Sequence, residues 1–379
     1  MANPGLPDEQ IKEAFDYLKK YGNKQAAADA LKIPRSTFQN RIRVGISRGY
    51  SPEHDMNHMS PEGFGVKGVS TLYGPDGDVK AQWVKTTRDG QRAQEAIEAA
   101  IEAFKDELPL AEPVKPPNHT NSDLLTCYPV GDHHFGMLAW HEETGGDDYD
   151  IGIAENVLCK AMSYLVDKSP DSSEALIAVL GDFLHYDSMV AITPGHGNIL
   201  DADSRFPQVV RAAMRSVRFM VQEALRKHDK VRLILEIGNH DPSSAIMLME
   251  MFFMHFENEP RVTVDRSPRN THVYQFGKNL IGTHHGDKIK MDRLAGVIAD
   301  DYDEMWGQTK YRVIHTGHVH HDHIKEYPGM KAESHGILAP KDAYAANGGW
   351  RSKQSMKAIY YHNEYGEVGR NIVKPEMIL

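Results

Sequence analysis

A chain of 379 residues, 40% hydrophobic and 25% charged, has the composition of a globular protein with material for two or three domains, which argues against disorder. Two cysteines, Cys127 and Cys159, exclude a thiolate metal cage and a disulfide framework, so any metal must be held by nitrogen and oxygen. There is no run of about 18 apolar residues and no basic-then-apolar leader, which predicts a cytosolic protein without a membrane partner, and the formal charge of −10 argues against indiscriminate coating of nucleic acid.

In chain order, Ile11, Ala14, Phe15 and Leu18 recur at helical spacing, and Ala26, Ala27, Leu31, Ile33, Phe38 and Ile42 continue the pattern across Pro34. A helix followed by two shorter helices around a tight turn is predicted. The six Lys/Arg from Lys24 to Arg48 meet one acid, Asp29, so this is a basic island on an acidic protein. A Gly, Ser, Pro, His and Met-rich stretch up to about Gly65 reads as linker. The alternation around Pro75, Asp76, Gly77 and Asp78 predicts a hairpin, in which Tyr73, Val79 and Trp83 would pack a small core, and residues 90–107 read as an amphipathic helix. Four prolines in residues 108–123 then favour an extended connector. The predicted organisation is a helical domain over residues 1–48, a linker, hairpin and helix over 49–123, and a catalytic domain over 124–379.

From Leu124 onward, short apolar runs end in Gly-Asp, Gly-Asn or His and alternate with helical stretches. Continuously apolar strands imply a sheet covered on both faces, with polar residues along one rim: an α/β layered domain. The rim would carry Asp132 and His134 in GDHHFG, Asp182 in GDFLHYD, Asn239 and His240 in GNHD, His284 and His285 in THHGD, and His318 and His320 in GHVHH. The two-residue spacings 132/134 and 318/320 would put each pair on one strand face. Singly, each motif has an ordinary explanation, since Asp after Gly is commonly a turn residue and Asn-His-Asp can cap a helix. Five together, each at the end of an apolar run, supply two acids, one amide and four histidines, a donor set suited to Mn, Fe or Zn.

This order resembles the calcineurin-like metallophosphoesterase superfamily, with its D-x-H, G-D, G-N-H-D/E, H and G-H-x-H blocks, over roughly residues 124–325. The resemblance implies an α/β/β/α two-sheet domain holding two divalent ions, one on Asp132, His134 and His320, the other on Asn239, His318 and either His284 or His285, with Asp182 bridging. Gly286 fits the family's His-Gly form and favours His285. His240 would give a proton to the leaving oxygen, oriented by Asp241. GDFLHYD lacks the Asp and Arg of the protein-phosphatase form and looks more like the G-D-L-F-H form of the double-strand-break repair nucleases, which puts His185 beside the scissile phosphate. Nuclease branches commonly use manganese, so two Mn ions are expected, with Fe or Zn as alternatives.

Residues 9–44 resemble a helix-turn-helix of the Fis or resolvase type, whose second helix would present Arg35, Ser36, Thr37, Gln39, Asn40, Arg41 and Arg43 to DNA. The composite resembles proteins carried by bacteriophages, which would act in a bacterial or host cytosol. The expected activity is a DNA nuclease hydrolysing phosphodiester bonds. A small-molecule phosphatase or cyclic-nucleotide phosphodiesterase, and a non-catalytic DNA-binding regulator, are the alternatives.

Overall fold

The computed structural model describes residues 6–47, 64–73, 79–88 and 114–379. The chain divides into two compact units, Met1–Glu95 and Ala96–Leu379. Among the described residues no helix is long and apolar enough to cross a membrane.

The first unit begins with helix α1 (Asp8–Tyr21), which has acids in its first turn, lysines in its last, and a left-handed Gly22 as its stop. The Asn23 side chain accepts from the Ala26 N–H and caps α2 (Lys24–Ala30). After a turn through Pro34, α3 (Arg35–Ser47) lays Phe38 and Ile42 against Ala14, Ala27 and Ala28. Strands β1 (Phe64–Tyr73) and β2 (Val79–Arg88) pair antiparallel. Trp83 is exposed, so it does not pack the small hairpin core expected of it. The helix expected over residues 90–107, the turn around Asp76 and the linker before Phe64 lie outside the described residues.

The second unit runs β3 (Asn121–Val130), a short α4 (His141–Thr144), α5 (Ile151–Lys168), β4 (Ser172–Val179), α6 (Phe206–Lys227), β5 (Lys230–Leu235), α7 (Pro242–His255) and β6 (Val262–Val264). It continues with β7 (His272–Phe276), β8 (Asn279–His284), α8 (Met291–Asp301), α9 (Asp303–Gln308), β9 (Tyr311–Thr316), β10 (His323–Tyr327) and β11 (Met330–Ser334). Then come α10 (Ala343–Asn347), β12 (Met356–His362) and β13 (Gly366–Val373). One sheet has the order β13-β12-β3-β4-β5-β6, with β3 to β6 parallel; the other has the order β10-β11-β9-β8-β7, with β8, β9 and β11 parallel.

Strand periodicity sorts the core into layers. Odd positions of β3, Leu125 and Cys127, join Leu176, Ile234, Ile281, Val313, Ile359 and Tyr361 between the sheets. Even positions Tyr128 and Val130 face outward with Ile177 and Leu233 under the apolar stripes of α5, α6 and α7. On the far side Leu280 and Ile314 meet Leu294 and Ile298 of α8. Both sheets are thus covered on both faces, giving the α/β/β/α layering that the apolar strands and the family resemblance implied.

Candidate metal centre

The loops that follow β3, β4, β5, β8 and β9 converge, and they carry the donors. Asp132, His134 and His320 place one ligand atom each within 4.8 Å of one another, and Asp182, His285 and His318 do the same. Asp132 is fully buried; its carboxylate accepts the His318 N–H at 2.9 and 3.0 Å and lies 3.0 Å from His320 Nε2. His134 Nε2 is 3.3 Å from His320 Nε2, a contact of two nitrogens that a shared cation would relieve. In the other set, His285 Nε2 lies 3.0 Å from Asn239 Oδ1 and 3.3 Å from Asp182 Oδ2. The ring Nδ1 of His285 is 2.8 Å from the Leu180 carbonyl, so Nδ1–H donates there and Nε2 is left for a ligand. His284 ends β8, is buried, and joins neither set. The side chain of Asp182 sits with His285 and His318, and its Oδ1 accepts the His240 N–H at 2.7 Å.

The expectation that spacing alone puts 132/134 and 318/320 on one strand face needs correction. All four residues lie beyond the ends of β3 and β9, and His318 and His320 belong to different donor sets. What aims them is left-handed backbone. His134 (φ 52°), Asp182 (φ 46°), His318 (φ 67°) and His320 (φ 57°) are four of the six described non-glycine residues with positive φ. Such conformations cost about 1–3 kcal/mol each and persist where surrounding structure fixes them, characteristically at functional sites. The glycines that precede several donors follow from crowding. A Cβ on Gly317 would collide with the Asp132 carboxylate, and one on Gly238 with Asp182.

Charge balance agrees with a cation site. Burial opposes protonation of His285, but its hydrogen bond to Asp182 and the charges of Asp132 and Asp182 outweigh it and hold the ring pKa up to about 10. His320 is likewise raised, against its burial, by Asp132, while burial drives His134 well below the usual histidine range. A bound divalent ion would replace the protons on His285 and His320. Two buried carboxylates, an amide oxygen and four imidazoles with fixed approach therefore fit a pair of divalent ions by donor chemistry.

His240 Nδ1 is 2.8 Å from the His185 carbonyl, which leaves Nε2 as the ring nitrogen available to a substrate. Here a second expectation is corrected: Asp241 does not orient the His240 ring. Its Oδ2 accepts the N–H groups of Phe183 and Leu184 at 2.9 and 3.0 Å, fixing the loop after Asp182, and burial followed by the Asp182 charge pushes its pKa up to about 8. The His185 ring stacks on His240 with centroids 5.5 Å apart and lies 3.2 Å from His134 Nδ1, and burial lowers its pKa to about 3. Asp187, which carried no expected role, accepts from Ser243 and Ser244 at the start of α7 and so ties the His185 loop to the His240 loop.

The donors open into a cavity of about 920 Å³, whose wall also includes Tyr344, Trp350, Arg351 and Lys353. Sequence reading passed over this wall. Its only signal is an aromatic residue flanked by glycines and cations in GGWRSK.

In the helical unit, Arg35, Ser36, Thr37, Gln39, Asn40 and Arg43 are exposed on α3. Arg41 is different: its guanidinium turns back to Glu13 at 3.3 Å and its side chain is only 13% exposed, so it is not presented outward with the others. Arg43 donates to Asn40 at 2.9 Å.

No protein-family model matches the chain, and no curated protein matches it in sequence. Solved structures align at low similarity. A conserved uncharacterized protein from Streptococcus pneumoniae TIGR4, described as a predicted phosphoesterase, is 10% identical over 68% of this chain and 92% of its own, with a TM-score of 0.30. Zinc-complexed Vps29 from Entamoeba histolytica is 13% identical over 66% and 99%, with a TM-score of 0.27. The phosphopantetheinyl hydrolase of Mycobacterium tuberculosis is 13% identical over 57% and 91%, also with a TM-score of 0.27.

Proposed function

We propose that the second unit is a two-metal phosphodiesterase and that the whole chain is a DNA nuclease. The observation that supports this most is the convergence of two donor sets on one rim, with His240 beside them and an open cavity in front. Asp132, His134 and His320 would hold one ion, Asn239, His285 and His318 the other, and Asp182 would stand between them. When bound, a pair of divalent cations, with manganese the first choice, would polarise phosphoryl oxygens and lower the pKa of an attacking water. His240, fixed through Nδ1, would give a proton from Nε2 to the leaving oxygen. His185 would buttress that ring from behind. The exposed cations and amides of α3 support DNA as the substrate, because a tethered reader raises the local concentration of its ligand. A cavity of about 920 Å³ also lies within the range of roughly 300–1,000 Å³ usual for small-molecule sites, which keeps a small phosphodiester as the second reading.

The test is hydrolysis of labelled linear and circular DNA, beside bis(p-nitrophenyl) phosphate, with Mn and with chelator. Wild type, Asp182→Ala and the double variant Arg35→Glu, Arg43→Glu are compared. Metal-dependent DNA cleavage that Asp182→Ala abolishes, and that the double variant weakens at moderate salt, is the expected result. Cleavage of the small diester but of no DNA would overturn the nuclease reading, and cleavage of neither by wild type would overturn the enzyme.

A further inference from the structure

The cavity that the donors open into is also lined by two large aromatic rings that the proposed chemistry does not use. Tyr344 is 73% exposed and Trp350 is 55% exposed, their ring centroids are 5.1 Å apart, and both line the same cavity as His134, Asp182, His240 and His320. Adjacent aromatic rings left open to solvent at a cavity wall are characteristic of a binding surface.

The rings are nevertheless held in place, and by backbone rather than by burial. Asp342 caps α10 by accepting the Ala345 N–H, the Trp350 N–H donates to the Ala345 carbonyl at 3.0 Å, and the Gly348 N–H donates to the Tyr344 carbonyl at 2.9 Å. Arg351 completes the clamp by donating to the carbonyls of Ala345, Ala346 and Trp350. Lys353 and Lys341 also line the cavity, Lys341 with its ammonium donating to the Gly145 carbonyl at 3.1 Å.

We propose that Tyr344 and Trp350 form a stacking platform for an unpaired nucleobase, with Lys341 and Lys353 beside the phosphates of the same strand. The proposal rests on the nuclease reading and deepens it, because it makes single-stranded or frayed nucleic acid the preferred substrate. Pre-ordered aromatic rings next to cations suit this ligand: every base has a π-face, and the backbone is anionic. Removing one platform ring is expected to weaken binding of a stacked base roughly 5- to 150-fold.

The experiment uses the full chain with Mn and compares KM for a single-stranded oligothymidylate with KM for an abasic oligonucleotide of the same length. Wild type should prefer the base-bearing strand, Trp350→Ala should lose that preference by roughly 5- to 150-fold, and Trp350→Phe should keep most of it. Trp140→Ala, which removes an exposed tryptophan that does not line the cavity, should keep all of it. An unchanged preference in Trp350→Ala, or an equal loss on both strands, overturns the platform. If wild type hydrolyses bis(p-nitrophenyl) phosphate but neither strand, the nuclease reading falls by itself. Thymidine monophosphate quenching of tryptophan fluorescence then decides the platform: saturable quenching that Trp350→Phe abolishes upholds it for a free nucleotide, and equal quenching in both proteins overturns it.

Discussion

His240 is held at two points, through its backbone N–H on Asp182 Oδ1 and through ring Nδ1 on the His185 carbonyl, and only the second is lost when the ring is removed. His240→Ala therefore keeps the contact that steadies Asp182. The expected outcome is unchanged metal content, read by elemental analysis, with kcat for a phosphodiester reduced by about 10²- to 10⁴-fold, the usual contribution of a proton donor. Metal lost together with activity would show instead that the ring is a ligand. At this scale the donors were legible because each block ends an apolar run, and Asp132, Asp182, Asn239 and His318 directly follow a glycine, a pattern that chemistry and crowding both impose. The choice between His284 and His285 was only tilted toward His285 by Gly286, because adjacent residues differ in direction and the loop after β8 shows which one reaches Leu180 and Asn239. Asp241 was misread for a similar reason: its partners, Phe183 and Leu184, come from another strand end far away in the chain.

The apolar strands β3, β4, β5, β8 and β9 could be read as elements because both of their faces are buried, and their order set the rim. The strands β10 to β13 carry a weaker signal, since they mix apolar residues with charges that find partners only in the folded sheets. Glu333 on β11 is the clearest case. It is fully buried and accepts from Arg370 of β13 at 2.7 Å and from Lys357 of β12 at 3.2 Å. Burial alone would raise its pKa, but the Arg370 hydrogen bond, with the charge of Lys357 among the further causes, holds it well below the usual carboxylate range. Glu333→Gln removes the shared partner of two cations that keep Asp322 and Glu367, and is expected to cost about 1–3 kcal/mol. The sign with pH follows from the depressed pKa: the stability is present above the unfolded value of about 4.3 and is lost progressively as pH falls from there through the folded value. Urea denaturation of wild type and variant at pH 7 and at pH 3 should show the gap narrowing at the lower pH. A gap equal at both would mean that the carboxylate charge contributes nothing.

The two sheets of the second unit meet at the donor rim, and this gives bound metal a role in the stability of the whole unit. Asp132, Asp182 and Asn239 follow strands β3, β4 and β5 of one sheet, while His285, His318 and His320 follow β8 and β9 of the other. An ion held by Asp132, His134 and His320, or by Asn239, His285 and His318, would thus join the two layers at their edge. Without it, buried carboxylates rely on protonated His285 and His320 for compensation. Because both pKa values are raised, that contribution is full below the unfolded value of about 6.5 and is lost as pH rises toward the folded one, about 10 for His285. Ions that bind the folded unit and not the unfolded chain stabilise it by mass action, by about 2.7 kcal/mol at a hundredfold excess over Kd. For a unit spanning Ala96–Leu379 that corresponds to roughly 4–5 °C in Tm for each ion bound. Calorimetry of the full chain with Mn and with chelator should show the transition of the second unit moving by this amount and that of the helical unit staying in place, because α1 to α3 carry none of the donors. The shift should grow at higher pH, where the apo site loses its compensating protons, and should shrink in Asp132→Asn. A transition that ignores chelator at every pH would show that the donors bind no ion in solution.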